Sequence, residues 1–275
     1  MKLLVTGHEG FIGRNMVGWL QNEGWDVDGW EWDPDNFPDV KPYDWVIHLG
    51  GISNPQEQDV NKVLKMNLEF SQWLFNECQH NEVHLQYASS NAVYGAGPNF
   101  SEFGPCKPQT PYAWSKYLFD RWVFQQEHKP YIYVQGFRYF NVYGKYMNVR
   151  GSHSNLIHQW REQARKDNVI TIWPNSDYIH WDWTWVGDIC KLQIDFIKEI
   201  NGSGIWNAGS GLTHSLLDIA EEVAEQEGVK IDYKSSPYKE EGKVRFRVCA
   251  DLTHLKATIG KRKWLNVYEW INNEK

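Results

Sequence analysis

The sequence predicts an α/β fold, with a doubly wound parallel sheet followed by a smaller, mixed C-terminal lobe. Three observations predict it. Short apolar segments alternate with segments of helix length over the first 140 residues, and this alternation is typical of a parallel sheet with helices on both faces. A glycine-rich turn directly follows the first apolar segment. Beyond residue 140 the strands become shorter and the loops more frequent.

The predicted elements follow this alternation in order. In the first part of the chain we expect strands at residues 2–6, 25–31, 44–49, 83–88 and 131–137. We expect the intervening helices at residues 11–23, 57–79 and 112–128. The acidic segment 33–43 contains three prolines and is too short for both a helix and a strand, so a loop should replace one crossover.

The later part of the chain predicts the smaller lobe. Here we expect helices at residues 152–167, 187–200 and 214–227, and short strands at residues 169–173, 205–207 and 229–233. We place the boundary between residues 140 and 141, with part of the segment 141–275 returning to the sheet of residues 1–140. Such a lobe would cover the carboxyl edge of the sheet, where ligands bind in open α/β folds.

Composition narrows the classes of function. The chain has 275 residues and a net charge of −7, which gives no electrostatic attraction to nucleic acid or to an anionic membrane. No apolar run reaches the roughly 18–20 residues that span a bilayer, and the chain enters a strand at once, so we expect no signal peptide and a cytoplasmic protein. The four cysteines lack metal-ligand spacing, so we expect reduced thiols and no metal site.

Tryptophan is unusually frequent, with 16 in the chain. Many, among them Trp173, Trp183 and Trp185, fall at positions that suit either the core or the lining of a pocket, where they could stack on a base or a sugar. For most of them we favour bulky core side chains whose N–H groups find partners. Trp181 is an exception for a reason that depends on the motifs described next.

A glycine-rich turn follows the first predicted strand. The sequence Thr-Gly-His-Glu-Gly-Phe-Ile-Gly occupies residues 6–13. Gly7 would allow a sharp turn, Gly10 would let the backbone approach a pyrophosphate, and Gly13 would let the next helix pack closely on the strand. The pyrophosphate would then lie at the positive end of that helix. The motif predicts a dinucleotide-binding domain with a Rossmann-like sheet in residues 1–140.

An acidic residue at the end of the second predicted strand indicates which dinucleotide is bound. Glu31 follows Gly13 at close to the roughly 20 residues expected for a carboxylate that accepts hydrogen bonds from the adenosine ribose. It would repel the 2′-phosphate of NADP, so NAD is the expected cofactor. Arg14 favours the opposite choice because it could reach a 2′-phosphate, and NADP therefore remains an alternative.

A tyrosine and a lysine form the predicted acid/base pair. Tyr112 and Lys116 are four residues apart on a predicted helix, so both side chains emerge on one face. An ammonium group beside a phenol favours the phenolate and lowers the phenol pKa toward neutral pH, and the same lysine could hold the nicotinamide ribose. Ser90 follows a predicted strand, where its hydroxyl could bond the reacting oxygen of a sugar. The three residues predict a site that moves a proton while a nicotinamide cofactor moves a hydride.

Four motifs carry a resemblance to a known family. Besides the glycine turn they are Ala-Ser-Ser-Asn-Ala-Val-Tyr-Gly at 88–95, Tyr-x-x-x-Lys at 112–116 and Phe-Arg-Tyr-Phe-Asn-Val-Tyr-Gly at 137–144. They resemble the extended short-chain dehydrogenases/reductases that act as NAD-dependent nucleotide-sugar epimerases and dehydratases. The resemblance runs nearly end to end and is strongest to the ADP-heptose 6-epimerase branch, partly through the Arg-Gly-Ser at 150–152. It implies a nucleoside-diphosphate sugar as substrate and a homo-oligomer.

The resemblance also implies roles for individual residues. It implies that the cofactor is held by Gly7, Gly10, Phe11, Ile12, Gly13, Glu31, Leu49, Gly50, Gly51, Ser53, Asn67, Tyr112, Lys116 and Val142. It makes Ser90, Tyr112 and Lys116 the catalytic residues. It implies that the substrate is contacted by residues drawn from Ser90, Asn91, Asn141, Arg150, Ser152, Trp181, Arg245 and Arg247.

Departures from the family pattern select among its reactions. Arg150 stands where the heptose branch has a catalytic lysine, and a guanidinium stays protonated and cannot act as an ordinary base. Trp181 replaces a phosphate-binding arginine and offers a stacking surface instead. Asn91 and Ala92 stand where the dehydratases carry an Asp-Glu pair, and Asn91 also stands where keto-sugar reductases carry a cysteine. These residues favour an epimerase that works through a transient keto-sugar with Tyr112 as acid/base; a reductase or dehydratase of the family, or a catalytically silent dinucleotide-binding module, remain alternatives.

Overall fold

The structure is a computed structural model that describes residues 1–126, 131–199, 202–234 and 246–274. Its strands are β1 Lys2–Thr6, β2 Asp26–Trp30, β3 Trp45–His48, β4 His84–Ser90, β5 Val134–Tyr139, β6 Val142–Tyr143, β7 Val169–Ile172, β8 His180–Asp182, β9 Thr184–Trp185, β10 Gly204–Ala208, β11 Thr213–Ser215, β12 Lys230–Tyr233 and β13 Arg247–Val248. The largest sheet has six parallel strands in the order β10-β5-β4-β3-β1-β2. The predicted doubly wound parallel sheet is therefore confirmed.

Helices connect these strands. They are α1 Phe11–Asn22, α2 Val60–Leu64, α3 Phe70–Asn81, α4 Pro111–Gln125, α5 Leu156–Asp167, α6 Val186–Glu199, α7 Leu216–Glu227, α8 Thr253–Ile259 and α9 Val267–Asn273. A π-helical segment, Lys65–Glu69, joins α2 to α3 without a break. Segments of 3₁₀ helix occupy Asn91–Tyr94, Met147–His153 and Ser176–Tyr178, and the second is interrupted by a kink at Gly151.

Several helices and strands begin or end at residues other than those predicted, and capping residues explain two of these differences. The helix expected from residue 57 begins after Asp59, whose carboxylate accepts a hydrogen bond from the Lys62 N–H. The helix expected from residue 152 begins after Asn155, whose side chain accepts from the His158 N–H. Residues 31–44 form a loop between β2 and β3, as the three prolines indicated.

The central sheet is buried on both faces because its strands are apolar at consecutive positions. Leu3 and Val5 point into the cluster that contains buried side chains of α1 and α6. Leu4, between them, points into the opposite cluster, which contains Leu74 of α3 and Phe119 of α4. Side chains alternate between the faces of a strand, so the three consecutive apolar residues in the middle of β1 fit only a sheet covered on both sides.

The later part of the chain builds small sheets and also completes the large one. Strands β11, β8 and β13 form one small sheet, β12 pairs with β7, and β6 pairs with β9. A separate core brings together α5, α7 and α9 over these strands. Strand β10 pairs instead with β5 in the central sheet. The boundary at residue 140 thus stays a prediction, and β10 lies on its far side.

A buried ion pair ties the central sheet together. The Nε of Arg138 lies 3.0 Å from Oδ2 of Asp120, and both side chains are nearly inaccessible. The Ser89 hydroxyl donates to the same carboxylate oxygen, and an Arg138 N–H donates to the phenol of Tyr94. That phenol donates in turn to Asn207. The network therefore links β4, β5, α4 and β10 directly behind the end of the sheet.

Loss of the guanidinium should be costly. We expect Arg138→Met to lower the free energy of unfolding by about 3–5 kcal/mol, because the Asp120 carboxylate would stay buried without its cation. Arg165→Met is the control, since Arg165 is exposed where it pairs with Glu227, and its loss should cost at most about 1 kcal/mol. Urea denaturation followed by tryptophan fluorescence measures both values. Equal losses in the two variants would contradict a stabilising role for the buried pair.

Candidate active site

The strand order of the central sheet indicates where a ligand would bind. Strands β2 and β3 flank β1, and the order reverses at this point before continuing through β4 and β5. In open parallel sheets, ligands bind in the crevice at the carboxyl ends of the strands where such a reversal occurs. The glycine turn lies at the carboxyl end of β1, so it faces this crevice.

The glycine turn is packed too closely for side chains. Gly7 has a φ of +71°, and a Cβ atom there would lie 2.6 Å from the Cα of Gly50. A Cβ atom on Gly13 would lie 2.0 Å from the carbonyl oxygen of Gly7. Distances under 3.0 Å to backbone atoms exclude any side chain without movement of the backbone. The turn and the start of α1 are therefore held in one compact arrangement.

The start of α1 offers free backbone donors. Gly10 is the N-cap residue and provides no side-chain hydrogen bond. The first backbone hydrogen bond of the helix joins the Arg14 N–H to the Gly10 carbonyl, over 3.0 Å. The N–H groups of residues 11–13 precede that bond, as the orphan donors of a helix start do. Together with the helix dipole they suit the pyrophosphate of a dinucleotide, so the residues present fit such a cofactor.

A cavity of about 440 Å³ opens at this edge of the sheet and collects most of the predicted site residues. Those that line it are Phe11, Ile12, Leu49, Gly50, Gly51, Ser53, Ser90, Asn91, Tyr112, Lys116, Asn141, Val142, Arg150 and Trp181. They come from segments spread over the whole chain, and the fold brings them to one crevice.

The start of α4 positions the acid/base pair. Thr110 caps the helix by accepting a hydrogen bond from the Ala113 N–H, and Pro111 occupies its first turn. Tyr112 and Lys116 both line the cavity. The Lys116 ammonium donates to the carbonyl of Ala88 over 2.9 Å. Burial lowers the pKa of Lys116 to about 8, partly offset by the negative charge of a neighbouring carboxylate.

The end of β4 positions the predicted serine. Ser90 is the last residue of the strand, and its Oγ accepts a hydrogen bond from the Ala92 N–H over 3.1 Å. The next residue, Asn91, donates its amide to the Tyr139 carbonyl. Because the Ser90 hydroxyl proton is not used in that contact, it can be donated to an oxygen in the cavity.

Arg150 bridges the two parts of the chain. It lies in the 3₁₀ turn Met147–His153, and its Nη2 donates to the Ser53 carbonyl over 3.0 Å. Its Nε has no hydrogen-bond partner among the described residues. Burial lowers the Arg150 pKa, while Tyr112 acts in the opposite direction. The guanidinium therefore lies close enough to the phenol for the two groups to interact electrostatically.

Two further predicted substrate residues lie next to the β6–β9 pair. Asn141 has a left-handed φ of +29° and donates its amide to the Asp182 carbonyl over 2.8 Å. Asp182 is fully buried and accepts hydrogen bonds from the N–H groups of Ser210, Gly211 and Ala250. These contacts fix the strand that carries Trp181.

Three tryptophans form one wall of the cavity. Trp173 and Trp183 line it together with Trp181, and the rings of Trp181 and Trp183 lie 6.2 Å apart. Trp173 and Trp183 therefore line the pocket, the alternative that the sequence left open, and Trp183 is also buried in the core of the later lobe. The two-residue spacing of Trp181 and Trp183 was the available signal, since it places both on one face of a strand.

Some predicted residues lie outside the lining. Glu31 stands just after β2, where its Oε1 accepts a hydrogen bond from the Glu9 N–H over 2.7 Å. Asn67 is buried in the π-helical segment, and Arg247 is exposed on β13. Ser152 belongs to the same 3₁₀ segment as Arg150, but its side chain is outside the described part of the structure, so its prediction stays untested. Arg245 lies outside the described residues, so its prediction stays untested.

Other lining residues were not predicted. They are Ile52, Asn54, Pro55, Gln56, Ala88, Ser89, Ala92, Tyr139, His153, Ser154, Asn155, Leu156, Gln159, Trp173 and Trp183. His153 follows Arg150 by three residues, but the backbone is not helical at Gly151 between them, so no spacing in the sequence indicated that both line the cavity.

The described residues contain neither a metal-binding cluster nor a membrane-spanning helix. In the described ranges, no group of three or more His, Cys, Asp or Glu side chains could hold a metal ion. Across the same part of the chain, no helix combines the length and the apolar character needed to cross a bilayer. The four cysteines are free thiols, and Cys78 and Cys190 are buried.

Comparisons with known proteins agree with this geometry. The profile of the NAD dependent epimerase/dehydratase family matches residues 3–209. The chain is 30% identical to an ADP-L-glycero-D-manno-heptose-6-epimerase of Brachyspira hyodysenteriae, over 96% of this chain and 94% of the relative. The fold matches the Helicobacter pylori ADP-L-glycero-D-manno-heptose-6-epimerase with a TM-score of 0.86 at 19% identity, covering 98% of this chain and 93% of that one. It also matches the Thermus thermophilus UDP-glucose 4-epimerase in complex with NAD, with a TM-score of 0.82 at 24% identity and coverage of 99% and 97%.

These matches confirm the resemblance that the motifs carry. The family profile covers more than half of the chain, and it includes the glycine turn, Ser90, Tyr112 and Lys116. The chain belongs to the NAD dependent epimerase/dehydratase family.

Proposed function

We propose that this protein is an NAD-dependent nucleotide-sugar epimerase that acts through a transient keto-sugar, with Tyr112 as the acid/base. One observation carries the proposal: Ser90, Tyr112 and Lys116 line the same cavity as the start of α1, which offers free donors for a pyrophosphate. A phenol, a hydroxyl and an ammonium at one crevice suit proton transfer at a sugar hydroxyl.

The glycine turn and its neighbours would hold the cofactor. The N–H groups at the start of α1 would bind the pyrophosphate, and Glu31 would bind the adenosine ribose. Leu49, Gly50, Gly51 and Ser53 would line the middle of the dinucleotide, and Val142 its nicotinamide end. The family is NAD dependent by description, and the Thermus relative was solved with NAD, which supports this choice. When bound, NAD supplies hydride acceptance and return.

The protein's own groups would handle the proton. Tyr112 would take the hydroxyl proton as the sugar carbon is oxidised and give it back after the keto-sugar has turned over. Lys116 would favour the phenolate by its positive charge, and the Ala88 carbonyl holds its ammonium in place. Ser90 would donate its hydroxyl to the reacting oxygen and so keep that oxygen aligned with the phenol.

The residues after Ser90 weigh against the alternatives. A dehydratase needs an acid and a base beside the sugar, whereas the Asn91 amide is bonded to the Tyr139 carbonyl and Ala92 has no ionisable group. A silent binding module would have no reason to retain Tyr112, Lys116 and Ser90 on one cavity. The epimerase therefore explains more of the lining than a dehydratase or a binding module does.

The substrate half of the cavity suits a nucleoside-diphosphate sugar with an aromatic or flat apolar face. Trp173, Trp181 and Trp183 would stack against a base or a sugar. Arg150 would bind a sugar or phosphate oxygen with its remaining N–H donors. ADP-heptose is the first sugar to test, because the Brachyspira relative is named for its epimerisation. UDP-sugars come next.

Removal of the phenolic hydroxyl should separate chemistry from binding. We expect Tyr112→Phe to lose at least about 100-fold in turnover, the usual contribution of a positioned acid/base, while NAD affinity stays within about twofold. Tyr117→Phe, on the same helix but outside the lining, is the control and should retain full activity. Assays of epimer formation over a panel of nucleotide sugars provide the readout. Wild-type rates in Tyr112→Phe would remove the assignment and favour the silent module.

The charge of Glu31 should set the choice of dinucleotide. We expect the wild type to bind NAD more tightly than NADP. Glu31→Gln should narrow that preference by about five- to tenfold, because it removes a repulsion of roughly 1 kcal/mol at partly screened distance. Arg14→Gln is the opposite control, which lowers NADP affinity if Arg14 meets the 2′-phosphate. Titration calorimetry measures both. Equal or tighter NADP binding by the wild type would show that Arg14 outweighs Glu31.

A matched exchange tests whether Arg150 binds substrate or transfers a proton. Arg150→Lys should mainly raise the Michaelis constant, by about tenfold, because a planar fork becomes a single point charge. Arg165→Lys, at an exposed pair far along α5, is the control and should change nothing. Steady-state kinetics, with the sugar of the panel that the wild type converts, measure KM and kcat separately. Efficient C6 epimerisation of ADP-heptose by the wild type, lost in kcat but not in KM in Arg150→Lys, would contradict this role.

A further inference from the structure

In the part of the chain that the structure describes, four arginines are buried or half-buried, and three of them pair with carboxylates. The pairs are Arg138–Asp120, Arg161–Glu227 and Arg262–Asp195. The fourth is Arg150, and none of the described carboxylates forms an ion pair with it. A guanidinium that leaves water without a counter-charge carries a cost, which a ligand of opposite charge would offset.

The Arg150 guanidinium also has hydrogen-bond donors that the protein does not use. Its Nη2 donates to the Ser53 carbonyl over 3.0 Å, which holds the planar group in one orientation. Its Nε is buried and has no hydrogen-bond partner among the described residues. Buried donors in native proteins almost always have a partner, so this one indicates a partner from outside the chain. Carboxylates and phosphates are the groups that best match the paired N–H donors of an arginine.

The cavity that Arg150 lines is free of acidic side chains within the described ranges. This absence is informative because the chain carries 35 Asp and Glu residues and a net charge of −7. Lys116 brings another positive charge to the cavity, but the Asp120 carboxylate lies near that lysine and acts on its pKa. The positive charge that remains unbalanced is therefore that of Arg150. A cleft of one sign in a protein of the opposite sign concentrates ligands that carry the protein's own sign of charge.

Arg150 belongs to the reacting end of the cavity. It lines the cavity together with Tyr112, and the Arg150 pKa responds to the charge of that phenol. The phenol would act on the hydroxyl of the reacting sugar carbon. For a reaction at C4, the diphosphate on C1 lies across the ring, whereas a carboxylate at C6 is attached to the neighbouring C5. An anion close to Tyr112 is thus best carried by the sugar itself.

We propose that the substrate is a nucleoside-diphosphate uronic acid, and that Arg150 binds its carboxylate as a counter-ion. The inference rests on the proposed function, because a sugar that reacts at Tyr112 brings its own carboxylate to Arg150. It also accounts for the arginine at the position where the resembling heptose branch has a lysine. A carboxyl carbon has no hydrogen to exchange, so C6 of a uronic acid needs a binding group and not a base.

Matched pairs of sugars test this assignment, because the members of a pair differ only at C6. UDP-glucuronate and UDP-glucose form one pair, and GDP-mannuronate and GDP-mannose form a second pair with another base. Titration calorimetry on Tyr112→Phe with bound NAD measures sugar binding without turnover. We expect the uronate of at least one pair to bind about 10- to 100-fold more tightly than its neutral partner, the range for hydrogen bonds to a charged group.

Arg150→Gln, added to Tyr112→Phe, removes the charge and keeps a donor for the Ser53 carbonyl. The uronate should then bind no more tightly than its neutral partner, while the affinities for the neutral partner and for NAD stay within about twofold. Arg165→Gln, at an exposed ion pair on α5, is the matched control and should keep the preference. If Arg150→Gln does not fold, the preference measured with Arg150 in place decides alone.

Three results would overturn the proposal. An equal loss for both members of a pair in Arg150→Gln would assign Arg150 to the substrate diphosphate. A loss of NAD affinity would assign it to the cofactor. A protein with Arg150 in place that binds neither uronate, or that binds the neutral partners as tightly, would show that no sugar carboxylate is recognised.

Epimer formation by the wild type separates this proposal from the proposed function. Uronate-selective binding without any epimer would refute the epimerase and leave Arg150 as a carboxylate-binding residue. Epimers formed from neutral sugars, with no preference for uronates, would support the epimerase and overturn the carboxylate site.

Discussion

The close approach of the Gly7 backbone to Gly50 is the constraint on which the site depends. A Cβ atom at Gly7 would lie 2.6 Å from the Gly50 Cα, so the ends of β1 and β3 touch through their backbones. This contact sets the start of α1 opposite the loop at Gly50–Ser53, with the crevice of the strand-order reversal between them. A wider spacing would move the helix donors away from the loop, and a dinucleotide could not contact both.

The pKa of Lys116 in the site depends on charged groups that the fold buries next to it. Lys116 has a lowered pKa because it is buried, yet the carboxylate of Asp120 one turn later opposes that shift. The Asp120 carboxylate also forms an ion pair with Arg138, so its negative charge acts on both Arg138 and Lys116. On the open side, Arg150 brings a second positive group toward the phenol from the other part of the chain. Positive charge near a phenol favours its ionised form, which suits the acid/base role proposed for Tyr112.

Much of the fold and part of the site could be predicted because their signals are local. The glycine turn and the Tyr112–Lys116 pair are each defined by a few neighbouring residues, so a sequence motif is enough to predict them. Runs of apolar residues likewise predict the buried parallel strands. The remainder depends on contacts between distant segments. Arg150 donates a hydrogen bond to the Ser53 carbonyl, 97 positions away in the sequence. The Asn67 side-chain amide forms hydrogen bonds with the Ile52 backbone and with the Ser115 hydroxyl. No spacing rule specifies such pairs, so the role inferred by position for Asn67 did not predict which residues it would contact.

Strand β10 limits how a chimera could be made from this chain and a relative. It enters from the later half of the chain, pairs with β5 at the edge of the central sheet, and its Asn207 accepts from Tyr94. A fragment that stopped near residue 140 would expose a bare row of backbone donors and acceptors along β5, and such rows recruit strands from other chains. A chimera that grafts a foreign substrate half must therefore import an edge strand in matching register. In this chain the segment that forms the later lobe also supplies the edge strand of the central sheet.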